Sequence, residues 1–236
     1  MSSVPILFGM QVAIFMTLCR RAGRFGLTTL VVISVFIAWA AASALLALRG
    51  VYDSPDFLAT LPGLWLPTVP FLIMATLLVF PPVKRMIADV AIGTSDHALI
   101  AIQTLRVAAA GTLWKTLQGG FPVHVELAIG VTDLAFGLSA VFLWGWTRTR
   151  RLAPGTLILW HLVGVALILV PGNASLQLGL PGPAFLFDRP PTAEVMLDYP
   201  MALAPTLVVP IFLLFNLLGA FAAARRTAQP SNRIPS

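Results

Sequence analysis

The sequence predicts an all-α polytopic membrane protein of seven transmembrane helices, with the N-terminus outside and the C-terminus inside. Three observations predict it. Charged residues make up only 10% of the 236 residues and hydrophobic ones 58%, whereas a soluble domain carries about 25% charged residues. Seven apolar runs approach the roughly 20 residues that a helix needs to cross hydrocarbon. Basic clusters fall in every second connection between those runs, which fixes orientation by the positive-inside rule.

The runs lie at about 4–19, 26–48, 60–81, 97–114, 121–146, 155–171 and 200–224. The first lacks a basic leader, and the residues before Cys19 make a poor cleavage context, so it is expected to be a retained helix and not a signal peptide. Arg20, Arg21 and Arg24 follow it; Lys84 and Arg85 follow the third run, Arg148, Arg150 and Arg151 the fifth, and Arg225, Arg226 and Arg233 the seventh. The opposite connections hold Asp53 and Asp56, a lone Lys115, and the acidic loop with Asp188, Glu194 and Asp198. Seven crossings satisfy the rule at every loop and six would break it. Thr94, Ser95 or Asp96 can cap the fourth helix, and Pro154-Gly155 marks the turn into the sixth. Pro205 and Pro210 predict a kink in the seventh. The segment 191–198 of the long outer loop can form a short interfacial helix starting at Pro191. Trp65, Trp114, Trp144 and Trp146 fall near span ends, as interface anchors do. Residues 1–226 thus read as one domain, and 227–236 as a flexible cytoplasmic tail.

Composition also excludes. The net charge of +6 is spent on loops that set topology, so no nucleic-acid partner is expected; the partner is the lipid bilayer, with room for an apolar or small-molecule ligand. The single cysteine, Cys19, leaves no intrachain disulfide and no cysteine metal cluster. The only lysines, Lys84 and Lys115, are at loop positions, so no retinal Schiff base can form in the last helix. No zinc-protease, nucleophile-elbow or phosphate-loop motif is present.

What remains is a small set of polar residues in lipid-like sequence, where ionisable groups need a reason to exist. Gln103 and Arg106 are three apart and share a helix face. Glu126, Gly130, Asp133 and Gly137 form an acidic stripe floored by glycines, which admit a close neighbouring helix. Arg106 lies about nine residues below Lys115, and Asp133 about eleven below Pro122. At about 1.5 Å per residue the two depths agree within an arginine's reach. An Arg106–Asp133 ion pair is expected, with Gln103 hydrogen-bonded nearby and Glu126 nearer the outer face in a water-exposed vestibule. His161 and Asn216 are secondary polar candidates in the cytoplasmic half. No metal and no cofactor are expected: a bis-histidine haem needs two ligands at one level, and the nearest combination, His97 with His161, differs by roughly two turns.

Segments four and five resemble a group of small, functionally uncharacterised bacterial polytopic proteins. The residues that carry the resemblance are Gln103-Thr-Leu-Arg106-Val107, then Gly120-Phe-Pro122, then Gly130-Val-Thr-Asp133-Leu-Ala-Phe-Gly137-Leu138. The proline-punctuated end, from Pro200 to Pro210, is similar too. His161 departs from the asparagine expected after Trp160. The resemblance implies a multi-pass protein of the bacterial inner membrane, singles out Arg106 and Asp133, and brings no reaction with it.

Three readings follow. The first is a small carrier, or an accessory subunit that binds an apolar ligand, in which Gln103, Arg106 and Asp133 orient a polar group or relay a proton. The second is a membrane enzyme acting on a lipid or quinone with Asp133 or Glu126 as acid or base; the lack of catalytic motifs leans against it. The third is a structural or assembly subunit in which Arg106–Asp133 is a helix clasp.

Overall fold

The computed structural model describes residues 3–227, and over these the chain is helical with no strand. Helix α1 (Val4–Arg21) starts at Pro5 in its first turn and ends on Arg20 and Arg21, cations that complement the carbonyl end of the dipole. Helix α2 (Leu27–Leu48) stops at Gly50, whose φ of +66° is the left-handed conformation a glycine adopts without cost. A one-turn helix, Pro55–Leu58, is capped by the Ser54 hydroxyl, which accepts from the Phe57 amide.

Helix α3 (Pro62–Leu78) tightens to a 3-10 turn at Leu66–Thr68. Pro67 and Pro70 remove amide donors there and loosen the α ladder. It then turns by 108° into α4 (Pro81–Gly93). Phe80, extended at ψ 120° ahead of two prolines, makes the corner, because the residue before proline is pushed out of the helical region. Helix α4 is a helix the sequence reading assigned to a basic loop. It buries Val83, Met86, Val90 and Ala91 while Lys84 and Arg85 are exposed.

Helix α5 (96–117) is three pieces in line: Asp96–Gln103, a 3-10 turn at Thr104–Ala109, and Ala110–Leu117. Ser95 caps it, accepting from the Ala98 amide at 3.2 Å. Helix α6 (Val123–Trp146) carries a π turn at Glu126–Gly130. Helix α7 (Pro154–Leu178) starts at the expected proline but runs through Pro171 to Leu178, seven residues past the expected end. A single proline costs one intrahelical bond, and packed neighbours tolerate it.

The following loop folds back: the Leu186 and Phe187 amides both donate to the Leu178 carbonyl, at 2.8 and 2.9 Å. The expected interfacial helix shrinks to a 3-10 turn at Ala193–Met196. Helix α8 (Ala204–Thr227) opens with a π turn at Ala204–Val208, where the kink was expected. Of the tail expected at 227–236, everything past Thr227, including Arg233, lies outside the described residues.

Five of these helices, α1, α2, α6, α7 and α8, are long and apolar enough to cross a membrane, and the bent α3–α4 makes a sixth if taken as one span. The protein is therefore a multi-pass membrane protein. Helix α8 is the hub: 61% of its apolar window is buried, against 22–28% for the other four. Its π turn explains how the first turns of α8 are tied to α1 and α2. Pro210 has no amide to give the Thr206 carbonyl, and the Trp39 indole of α2 donates to it instead at 2.8 Å. Ser43 and the Thr206 hydroxyl bond at 2.8 Å, Tyr52 donates to Ser43, and the Gln11 amide of α1 donates to the Val208 carbonyl at 2.9 Å.

Candidate functional site, a polar seam at the junction of four helices

Helices α5, α6, α7 and α8 each bring polar groups to one buried seam. Arg106 sits in the 3-10 turn of α5 and is 1% exposed. Its Nε donates to Oδ1 of Asp133 on α6 at 2.5 Å. The guanidinium Nη1 and Nη2 both point to the Gly164 carbonyl of α7 at 3.4 Å. Its Cζ lies 4.4 Å from the centre of the Phe136 ring, a cation–π distance. Phe136 is three residues after Asp133, so one face of α6 supplies both the anion and the ring. The Phe136 ring stacks on Trp160 at 4.5 Å, and the Trp160 indole donates to Ser139 at 3.1 Å. The expected ion pair is present, and the guanidinium is held by an anion, a backbone carbonyl and an aromatic face together.

Two glycines make this approach possible. A Cβ on Gly137 would sit 2.7 Å from the Val107 nitrogen and 2.9 Å from the Arg106 carbonyl carbon, both backbone atoms of α5. A Cβ on Gly164 would sit 2.8 Å from Asn216 Nδ2 and also collide with the Phe136 ring. Gly137 cannot be larger without moving α5, and a larger residue at Gly164 would displace the Phe136 ring and the Asn216 amide.

Gln103 departs from the expectation. It is fully buried, but its amide donates to the Phe212 carbonyl of α8 at 3.4 Å and its Oε1 has no partner. It is a neighbour of the ion pair and not a hydrogen-bonded member of it. Toward the basic end, His161 Nδ1 and Asn216 Oδ1 lie 3.0 Å apart across α7 and α8, with Gly219 leaving the space that the imidazole fills. His97 is engaged separately, 3.0 Å from the Thr147 hydroxyl and stacked on Trp144.

Glu126 differs most. It lies in the π turn of α6 and is 1% exposed, with neither carboxyl oxygen in a hydrogen bond. The vestibule expected around it is replaced by packing. The extra residue of a π turn displaces the side chains that follow from their α register, and Glu126 folds back over Gly130, where a Cβ would strike its carboxyl. Thr112 of α5 faces it, but that hydroxyl donates to the Ala109 carbonyl at 2.8 Å. A cavity of about 90 Å³ adjoins the seam, lined by Arg106, Asp133, Thr112, Gly130, Val125 and Phe212 among others.

At the far end from the basic clusters, Asp53 faces Asp198 and Glu194. Burial first, then these two carboxylates, push its carboxyl above the usual carboxylate range.

Sequence reasoning missed Phe136, Gly164 and Trp160 because a ring and a glycine in apolar sequence look like packing. The readable signal was the three-residue step from Asp133 to Phe136. Among the described residues no group of three or more His, Cys, Asp or Glu comes together as a metal site. Comparison with family models, with curated proteins and with solved structures gives no match.

Proposed function

We propose that this protein is a small carrier, or a ligand-binding accessory subunit, of the bacterial inner membrane, with α6 holding a proton-exchanging carboxyl. Its topology in this reading is seven crossings, N-terminus outside. The observation that carries it is a charge count. Among the described residues the buried charged groups are Arg106, Glu126 and Asp133, so one cation serves two carboxyls. Asp133 takes the cation, and a second carboxylate without partner is too costly to keep ionised in an apolar interior. Glu126 therefore carries a proton at rest and is the group that can release one.

The clasp reading is favoured for the ion pair itself. Arg106 spends its Nε on Asp133, its two Nη groups on the Gly164 carbonyl and one face on Phe136, and the two readings divide the seam: Arg106 and Asp133 dock the helices, Glu126 works. The enzyme alternative has less support, since neither Glu126 nor the ion pair is open to a bulky substrate.

Labelling with the apolar reagent dicyclohexylcarbodiimide tests this, because it couples to protonated carboxyls. The folded protein in mild detergent is expected to gain one adduct on the peptide containing Glu126, more slowly as pH rises, and Glu126→Gln is expected to gain none. No adduct on a folded, monodisperse protein would remove the proton-exchanging role.

A further inference from the structure

A second and larger cavity, of about 550 Å³, lies between α1, α2, α3, α4 and α8, within the roughly 300–1,000 Å³ of small-molecule sites. Its wall is apolar, with Phe8, Phe15, Ile33 and Phe215 among the lining residues. The polar side chains in that wall are Gln11, Lys84 and Arg225. Along α8 the lining runs from Ile211 to Arg225, fourteen residues or about 21 Å. That matches one leaflet with its headgroup layer, half of about 40–45 Å.

The two cations at one end are exposed and uncommitted. Two neighbouring arginines are paired, Arg24 with Asp89 and Arg226 with Asp96, and Arg20, Arg21 and Arg85, unpaired among the described residues, do not line the cavity. Lys84 and Arg225 are in none of the ion pairs among the described residues, and Arg225 merely lies over Phe221 at 5.2 Å. The two come from different elements: Lys84 is carried by α4 after the 108° corner, and Arg225 by the last turn of α8. Phe221 and Leu217 line the cavity and are each 39% exposed, so the slot opens sideways on the lipid-facing surface.

We infer that this slot binds one anionic phospholipid from the surrounding bilayer, its phosphate at Lys84 and Arg225 and an acyl chain along α8. An apolar slot one leaflet long takes the chain, and two unneutralised cations at its headgroup end select the charge. The inference is independent of the proton-exchange reading, which concerns the opposite side of α8.

Native mass spectrometry of the detergent-purified protein with equal amounts of phosphatidylglycerol and phosphatidylethanolamine tests it. One retained lipid is expected, with phosphatidylglycerol preferred about thirtyfold, from about 1 kcal/mol for each of two cations near the headgroup. Lys84→Gln with Arg225→Gln is expected to abolish the preference, and Arg150→Gln, on another connection, to leave it intact. Should the double variant not fold, Lys84→Gln alone, at an exposed position, is expected to reduce it severalfold. Equal retention of both lipids, or a preference that survives loss of the cations, would overturn the proposal. Stronger retention of oleate than of phosphatidylglycerol, with the same dependence on Lys84 and Arg225, would overturn the bilayer phospholipid in favour of a free fatty acid.

Discussion

At the scale of single residues, the fate of Arg106 turns on what is left when one partner goes. Removing either member of a buried pair strands the other charge, which costs about 3–5 kcal/mol, while replacing both with apolar groups can be neutral. Arg106→Leu and Asp133→Leu are each expected to destabilise by that amount in detergent unfolding monitored by tryptophan fluorescence. The double variant is expected to be more stable than either single one. The coupling carries a second contribution, because Arg106 also donates to the Gly164 carbonyl and lies over Phe136. Arg106→Lys keeps the charge but lacks the planar fork for both contacts, so it is expected to fall between wild type and Arg106→Leu. A double variant less stable than both single ones would show that the pair is a net source of stability and not a charge tolerated for docking.

Between residues and the whole lie the helices, and here irregular turns decide what meets. Arg106 occupies a 3-10 turn and Glu126 a π turn, so both facing helices depart from α geometry beside the ion pair. The closeness of α5 and α6 rests on Gly137, where a Cβ would meet α5 backbone that cannot rotate away. Gly137→Ala is expected to cost about 1–3 kcal/mol, the usual penalty of overpacking. Gly145→Ala on the same helix, with nothing within 4 Å of the added Cβ, is expected to be neutral or stabilising by helix propensity.

The same irregular turns explain what could be read in advance. The Arg106–Asp133 contact was legible because depth along two antiparallel segments depends only on residue count and tolerates small errors in rise. The start of α5, with Ser95 among three candidate caps, and the start of α7 at Pro154 were legible because they are local chemistry. The partner of Gln103 and the burial of Glu126 depend on helix rotation, and π turns that shift it leave no mark in composition. The course of α7 through Pro171 was hidden for a related reason: whether a proline ends a helix depends on the neighbours it packs against. Helix α4 was hidden because its thirteen residues mix cations with apolar groups, which reads as a loop when hydropathy is averaged over a span.

For the whole molecule the open quantity is the number of crossings, and the bent helix α3–α4 and the broken helix α5 hold the answer. Contacts group the basic connections at one end: Arg226 reaches the Thr94 carbonyl and Asp96, Arg24 pairs with Asp89, and Lys84 and Arg225 share one cavity. Asp53, Glu194 and Asp198 interact at a separate site, formed by the connections read as outside. This grouping supports α3 and α5 as crossings, in which case α4 lies along the inner surface with Lys84 and Arg85 at the headgroups. Because Cys19 is the only cysteine, a Cys19→Ala background permits single reporters at the exposed positions Asp56, Arg85, Gln118 and Arg150. A membrane-impermeant maleimide applied to intact cells is expected to label Asp56→Cys and Gln118→Cys, and to reach Arg85→Cys and Arg150→Cys only after permeabilisation. Matching accessibility of the first two reporters in the chain would make α3–α4 re-entrant, and matching accessibility of Arg85→Cys and Gln118→Cys would keep α5 on one side. Full inversion of the pattern would keep seven crossings and reverse the orientation, moving the cavity with Lys84 and Arg225 to the outer leaflet.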